Sequence, residues 1–181
     1  MRWRFALAWL ALGAIFVCRA SAQEQLLREA ARLDSEQKCA EAEREYQKAL
    51  AGGPPSSALL NNLGNHYLIC REPDKARTYF ERLLKLNPSD PNANFQLARL
   101  AAGRKQGAKA LEYLSHAGGQ DPAVLLVRAE ALYQTGQRKA AADVLDQLTK
   151  SAGNDPRLLF AIGMTCGRMG RYVQAETAFS A

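Results

Sequence analysis

The sequence lacks the usual signatures of catalysis. His66 and His116 are its only histidines. No H-E-x-x-H, G-x-S-x-G, glycine-rich phosphate loop or C-x-x-C occurs, so the common zinc, serine, nucleotide and dithiol motifs are absent. Glu41, Glu43 and Glu45 are interleaved with apolar residues, as on a solvated helix face. Lys and Arg exceed Asp and Glu by 24 to 18, but no basic block forms, so the electrostatic footprint of a nucleic-acid binder is missing. There is no alternating β-branched run and no Asn-Gly pair, which argues against a hairpin-built sheet. The chain is read as a non-enzyme with no cofactor, no metal and no nucleic-acid partner.

Long apolar runs are scarce too. The run from Phe5 to Cys18 is shorter than the roughly 20 residues of a membrane span. Arg2 and Arg4 precede it, and Ala20-Ser21-Ala22 follows. A basic start, a short apolar stretch and an A-x-A site make a secretory signal over residues 1–22, with Gln23 as the mature start. Lipid attachment at Cys18 is less favoured, because bulky Val17 precedes it. Loss of Arg2, Arg4 and Arg19 reduces the net charge from +6 to a mild +3. Contact with a membrane is expected only through the signal, in transit.

The rest of the chain is periodic. Leu60, Leu63, Gly64 and Tyr67 fall at i, i+3, i+4 and i+7, one stripe of a helix. Ala76, Phe80 and Leu83 form a second stripe after a break at Arg71-Glu72-Pro73. Asn87-Pro88 ends that helix. Small Gly64 and Ala76 suit a close helix crossing, and Tyr67 and Phe80 fill the space beside it. The order Leu60, Leu63-Gly64, Tyr67, Ala76, Phe80 and Pro88 resembles the tetratricopeptide repeat, W-x2-L-G-x2-Y, then A-x3-F, then P, over about 34 residues. Leu60 stands where the family has Trp most often.

The same frame runs through the mature chain as residues 23–56, 57–90, 91–121, 122–155 and an incomplete 156–181. The third unit is shortened by three residues around His116 to Gln120. Asp90-Pro91, Asp121-Pro122 and Asp155-Pro156 each place an N-cap carboxylate before a first-turn proline, with Ser56 or Ser57 capping the second unit. Gly136 and Gly170 suit turns of positive φ. The resemblance implies an all-α fold, a right-handed superhelical solenoid of antiparallel helix pairs, here with about four and a half repeats.

Cys39, Cys70 and Cys166 remain after signal removal. In the repeat frame Cys39 starts one helix and Cys70 ends another, on the same edge of neighbouring layers. A disulfide between them is feasible if their Cα atoms lie within about 7 Å. The favoured reading is two half-buried free thiols acting as small apolar groups. Cys166 reads as core.

The resemblance implies that first helices line a concave, ligand-facing surface. Carried onto this sequence, it assigns partner contacts to Asn61, Asn62 and Asn65; to Phe95 and Arg99; to Leu126, Glu130 and Tyr133; and to Arg157 and Phe160. Asn side chains both donate and accept, so they can satisfy an extended peptide's backbone. Aromatic and Arg side chains are the usual interface hot spots. The family's clamp for a C-terminal carboxylate is not expected, since Leu27 and Ala31 occupy its places in the first unit and Asn61 replaces its lysine in the second. The function implied is a non-catalytic scaffold, periplasmic or secreted, holding a protein or peptide. The alternative is the N-terminal arm of a larger exported enzyme or envelope-assembly component, because the fifth unit stops inside its second helix. Self-association through that unit is a further expectation.

Overall fold

The computed structural model describes residues 22–180, and all regular structure among them is helical. The proposed signal and the Cys18 lipidation site lie outside the described residues, apart from Ala22. The chain divides after Leu86 into two compact units. The first holds α1 (residues 22–35), α2 (Cys39–Ala51), α3 (Ser57–Ile69) and α4 (Pro73–Leu86). The second holds α5 (Pro91–Gly103), α6 (Gly107–Leu114), α7 (Pro122–Gln134), α8 (Arg138–Ala152), α9 (Pro156–Arg168) and α10 (Tyr172–Ser180).

Local chemistry sets the helix starts. Ser56 Oγ accepts from the Leu59 N–H at 3.2 Å. The Asp90, Asp121 and Asp155 carboxylates accept from the first-turn N–H groups of Ala93, Ala123 and Arg157 at 2.8–2.9 Å. Each Asp precedes a proline, which lacks the N–H that would go unpaired there.

One turn design recurs within all five hairpins. The N–H groups of Lys38, Glu72, Gln106, Gln137 and Arg171 donate five residues back, to the carbonyls of Leu33, Tyr67, Ala101, Leu132 and Cys166. This is the Schellman closure, which needs a left-handed residue just before the donor. Those residues are Gln37, Arg71, Lys105, Gly136 and Gly170, with φ of 58°, 59°, 59°, 80° and 72°. Glycine was thus foreseen at two of five equivalent places, and side-chain residues hold the same strained geometry at the other three. A left-handed L-residue costs on the order of 1 kcal/mol. Arg71→Gly is therefore expected to raise stability by about 0.5 kcal/mol after glycine's entropy cost. Urea titration checks this; a loss of stability would show that the Arg71 side chain contributes more than its strain costs.

Packing inside the second and fifth hairpins rests on a glycine facing an aromatic ring. A Cβ on Gly64 would lie 2.5 Å from Phe80 Cε1, and one on Gly163 would lie 2.5 Å from Phe179 Cε1. The rings differ in freedom: Phe80 is fully buried, whereas Phe179 is 52% exposed. Overpacking costs about 1–3 kcal/mol, against roughly 1 kcal/mol of helix propensity gained by Gly→Ala. Gly64→Ala should therefore destabilise by about 1 kcal/mol or more, while Gly163→Ala, where the ring can swing out, should be neutral or slightly stabilising. Equal losses in denaturant titrations would contradict this account.

The shortened third hairpin has its cause in view. α6 is only eight residues long, and Gly118 and Gly119 turn the chain at φ of 78° and 38° where another helical turn would stand. Asn94 occupies a slot that holds leucine in the second repeat, and is nonetheless buried. Its amide donates to the carbonyls of Pro88 and Asp90 at 3.1 and 2.9 Å, so the polar group is satisfied by its own helix start. Cys166 is buried in the core of α7–α10, and burial pushes its thiol above the usual pKa, with a smaller opposing pull from Arg171. That thiol is poorly reactive by position.

The first unit carries a buried polar cluster. Asp34 at the end of α1 meets His66 of α3, with Oδ1 to Nδ1 at 2.6 Å. Tyr46 of α2 donates its hydroxyl to Asp34 Oδ2 at 2.9 Å. Burial, then this hydrogen bond, pushes the Tyr46 pKa well above the usual phenol range, so the group stays a donor. His66 makes tilted and edge-on contacts with the rings of Tyr46 and Tyr67, at 5.2 and 4.9 Å between centres. Cys39 and Cys70 are joined in a disulfide beside this cluster. The free-thiol reading is corrected: Cys39 is the first residue of α2 and Cys70 caps α3, which brings their Cα atoms to 5.9 Å.

Candidate functional site: a groove on α5, α7 and α9

In the second unit, alternate helices α5, α7 and α9 present their C-terminal halves to one cavity of about 840 Å³. Arg99, Glu130 and Tyr133 line it together with Lys105, Gln134 and Arg168. The register follows from the repeat, since each first helix opens on an Asp-Pro cap and each closes on a Schellman turn. Gln134 fixes α7 to α5 by donating from Nε2 to the Ala102 carbonyl at 2.8 Å.

The charged floor is ordered. Arg168 of α9 meets Glu130 of α7, with Nη2 and Nε at 3.1 and 3.2 Å from the same Oε2. Arg168 Nη2 also donates to Thr165 Oγ1 at 3.1 Å. The Glu130 carboxylate is mostly buried, with 17% of its side chain exposed, so water screens the pair only partly. Tyr133 lies under the Arg138 guanidinium at 5.9 Å from the ring centre. Arg99 is exposed at the groove edge.

The other assigned residues are distributed differently. Phe95 and Leu126 are half-buried and pack on the apolar cores beneath them. Arg157 and Phe160 are exposed on α9 outside this cavity, and the Phe160 ring lies 5.6 Å from that of Phe179. Asn61, Asn62 and Asn65 are half-buried on α3 in the first unit. Arg168 was missed. Its partner lies 38 residues away, about one repeat plus one helical turn. Only a search at the repeat spacing, not the helix spacing, could reveal that pair.

The chain belongs to the tetratricopeptide repeat family. Models of that repeat match residues 57–100 and 101–159. A relative of known role is the type IV pilus assembly protein PilF of Pseudomonas aeruginosa, 30% identical over 93 residues. That match covers 47% of this chain and 37% of PilF, so it spans little more than a third of the relative. Among solved structures, a tetratricopeptide repeat protein of Parabacteroides merdae aligns over 97% of this chain and 75% of its own, with a TM-score of 0.75 and 17% identity. The structure of Pseudomonas aeruginosa pilF aligns over 97% and 86%, with a TM-score of 0.67 and 20% identity. At these identities the structures speak to fold. Among the described residues no helix is long and apolar enough to cross a membrane.

Proposed function

We propose that this protein is an exported, non-catalytic scaffold that holds an extended segment of a partner protein against α5, α7 and α9. The observation carrying the reading is that Arg99, Glu130 and Tyr133, assigned by repeat position alone, line a single cavity. Arg99 and Lys105 offer cations, Tyr133 offers apolar area, and Glu130 is already engaged by Arg168. The segment best suited carries a carboxylate beside an apolar side chain. A role in assembling an envelope structure fits the signal sequence and the likeness to a pilus assembly protein. The Asn61, Asn62 and Asn65 side chains would serve backbone groups of a partner.

The test is a photo-crosslinking amino acid at Tyr133, with Lys139 as a control, in cells exporting the full chain. A discrete envelope-protein adduct is expected at Tyr133 alone. With that partner purified, Arg99→Ala or Tyr133→Ala should weaken binding by about 30-fold, the scale of a 2 kcal/mol hot spot. Equal adducts at both sites, or affinities unchanged by both variants, would refute the groove.

A further inference from the structure

The proposed groove does not involve the buried cluster of the first unit. We infer that Asp34, Cys39, His66 and Cys70 form a binding site for a zinc-class divalent cation once the Cys39–Cys70 bond is reduced. Donor atoms of Asp34, His66 and Cys70 lie within 4.8 Å of one another. Cys39 adds a fourth donor, since its sulfur is bonded to that of Cys70. Two carboxylate, imidazole or thiolate ligands come from each of two segments: Asp34 and Cys39 flank the α1–α2 turn, and His66 and Cys70 sit one turn apart on α3. An i, i+4 pair on one helix is a recurrent metal-ligand spacing.

The distances fit the chemistry. Cys70 Sγ is 3.7 Å from His66 Nδ1. Bond lengths of a tetrahedral zinc site put N and S about 3.6 Å apart. Asp34 Oδ1 is 2.6 Å from Nδ1, so these two must open by ~0.8 Å to share an ion. Tyr46 already holds the other carboxylate oxygen, the kind of outer hydrogen bond that orients a metal-bound carboxylate. The Cα separation of 5.9 Å lets both sulfurs reach one centre after the S–S bond is gone. His66 and Asp34 are buried while both cysteines are half-exposed, so an ion has an approach from the sulfur side.

The chemistry balances. A dithiol reductant gives two electrons and two protons to the Cys39–Cys70 bond and is itself closed to a disulfide. Binding of the dication then releases both thiol protons, and the neutral imidazole carries its proton on Nε2. The bond and the metal are mutually exclusive, so the site is controlled by redox state. This reading does not depend on the groove.

The test uses the full chain, reduced with a phosphine, freed of it without oxygen, and titrated with cobalt(II). One cobalt per chain is expected, with the near-ultraviolet thiolate-to-cobalt band and the visible bands of a tetrahedral site. Oxidised chain should show neither. His66→Gln should weaken cobalt binding at least ~10-fold. Cys39→Ser, at a half-exposed helix start, should roughly halve the charge-transfer band without disturbing the core. Cys166→Ser should change nothing. Absence of the bands in reduced chain, whether folded or not, would overturn the inference. So would bands that survive His66→Gln unchanged or vanish in Cys166→Ser.

Discussion

Asp34→Ala is expected to remove about 3–5 kcal/mol of stability, because it orphans two buried polar groups at once. The residue is 6% exposed and serves two buried partners. Its loss leaves His66 Nδ1 and the Tyr46 hydroxyl facing a cavity with no acceptor. Each orphaned polar group costs about 1–3 kcal/mol. Surrounding side chains cannot swing in, because the rings of Tyr46 and Tyr67 already pack on the imidazole. Asp34→Asn is the informative companion. It keeps an acceptor for one partner only, so its loss should fall between zero and that of the alanine. Denaturant titration of both variants decides the matter. A loss under 1 kcal/mol for Asp34→Ala would mean that water enters and satisfies the cluster.

Much of the fold was legible because the repeat writes its packing into single positions. Gly64 opposite Phe80 is readable: only a residue without Cβ lets that ring lie against the helix backbone. The Asp-Pro pairs are readable because capping and missing N–H groups act within one turn. The left-handed turns were half hidden. Gly136 and Gly170 announce positive φ, whereas Gln37, Arg71 and Lys105 reach it only because the Schellman bonds around them outweigh the strain. The groove was partly legible. Arg99, Glu130 and Tyr133 follow from repeat position, but Phe95 and Leu126 turn toward the core, since an apolar side chain at a helix edge gains more from burial than from water. Long-range polar pairs left no local trace. Asp34 with His66 and Glu130 with Arg168 are joined only when neighbouring repeats stack.

The same limit applied to Cys39 and Cys70, and the bond they form has the second large effect. A cross-link between residues 31 apart in sequence restricts the unfolded chain by about 4 kcal/mol in the chain-entropy description. That is a large share of the roughly 5–15 kcal/mol that holds an ordinary domain together. Reduction in the presence of a chelator, so that no metal can replace the bond, should therefore lower stability by about 4 kcal/mol. The Cys39→Ser, Cys70→Ser double variant should match it without reductant. The loss should also be local, because stability in stacked repeats is close to a sum of neighbouring terms. Amides of α1, α2 and α3, which the bond and the Asp34 cluster tie together, should exchange faster after reduction. Amides of α7 and α9, in the other compact unit, should keep most of their protection. Cys166 is buried and unpaired, so Cys166→Ser cannot mimic the effect. Identical denaturation midpoints with and without reductant would show that the bond constrains nothing that folding does not already fix. Equal acceleration in both units would show that the chain unfolds as one cooperative body, against the nearest-neighbour account.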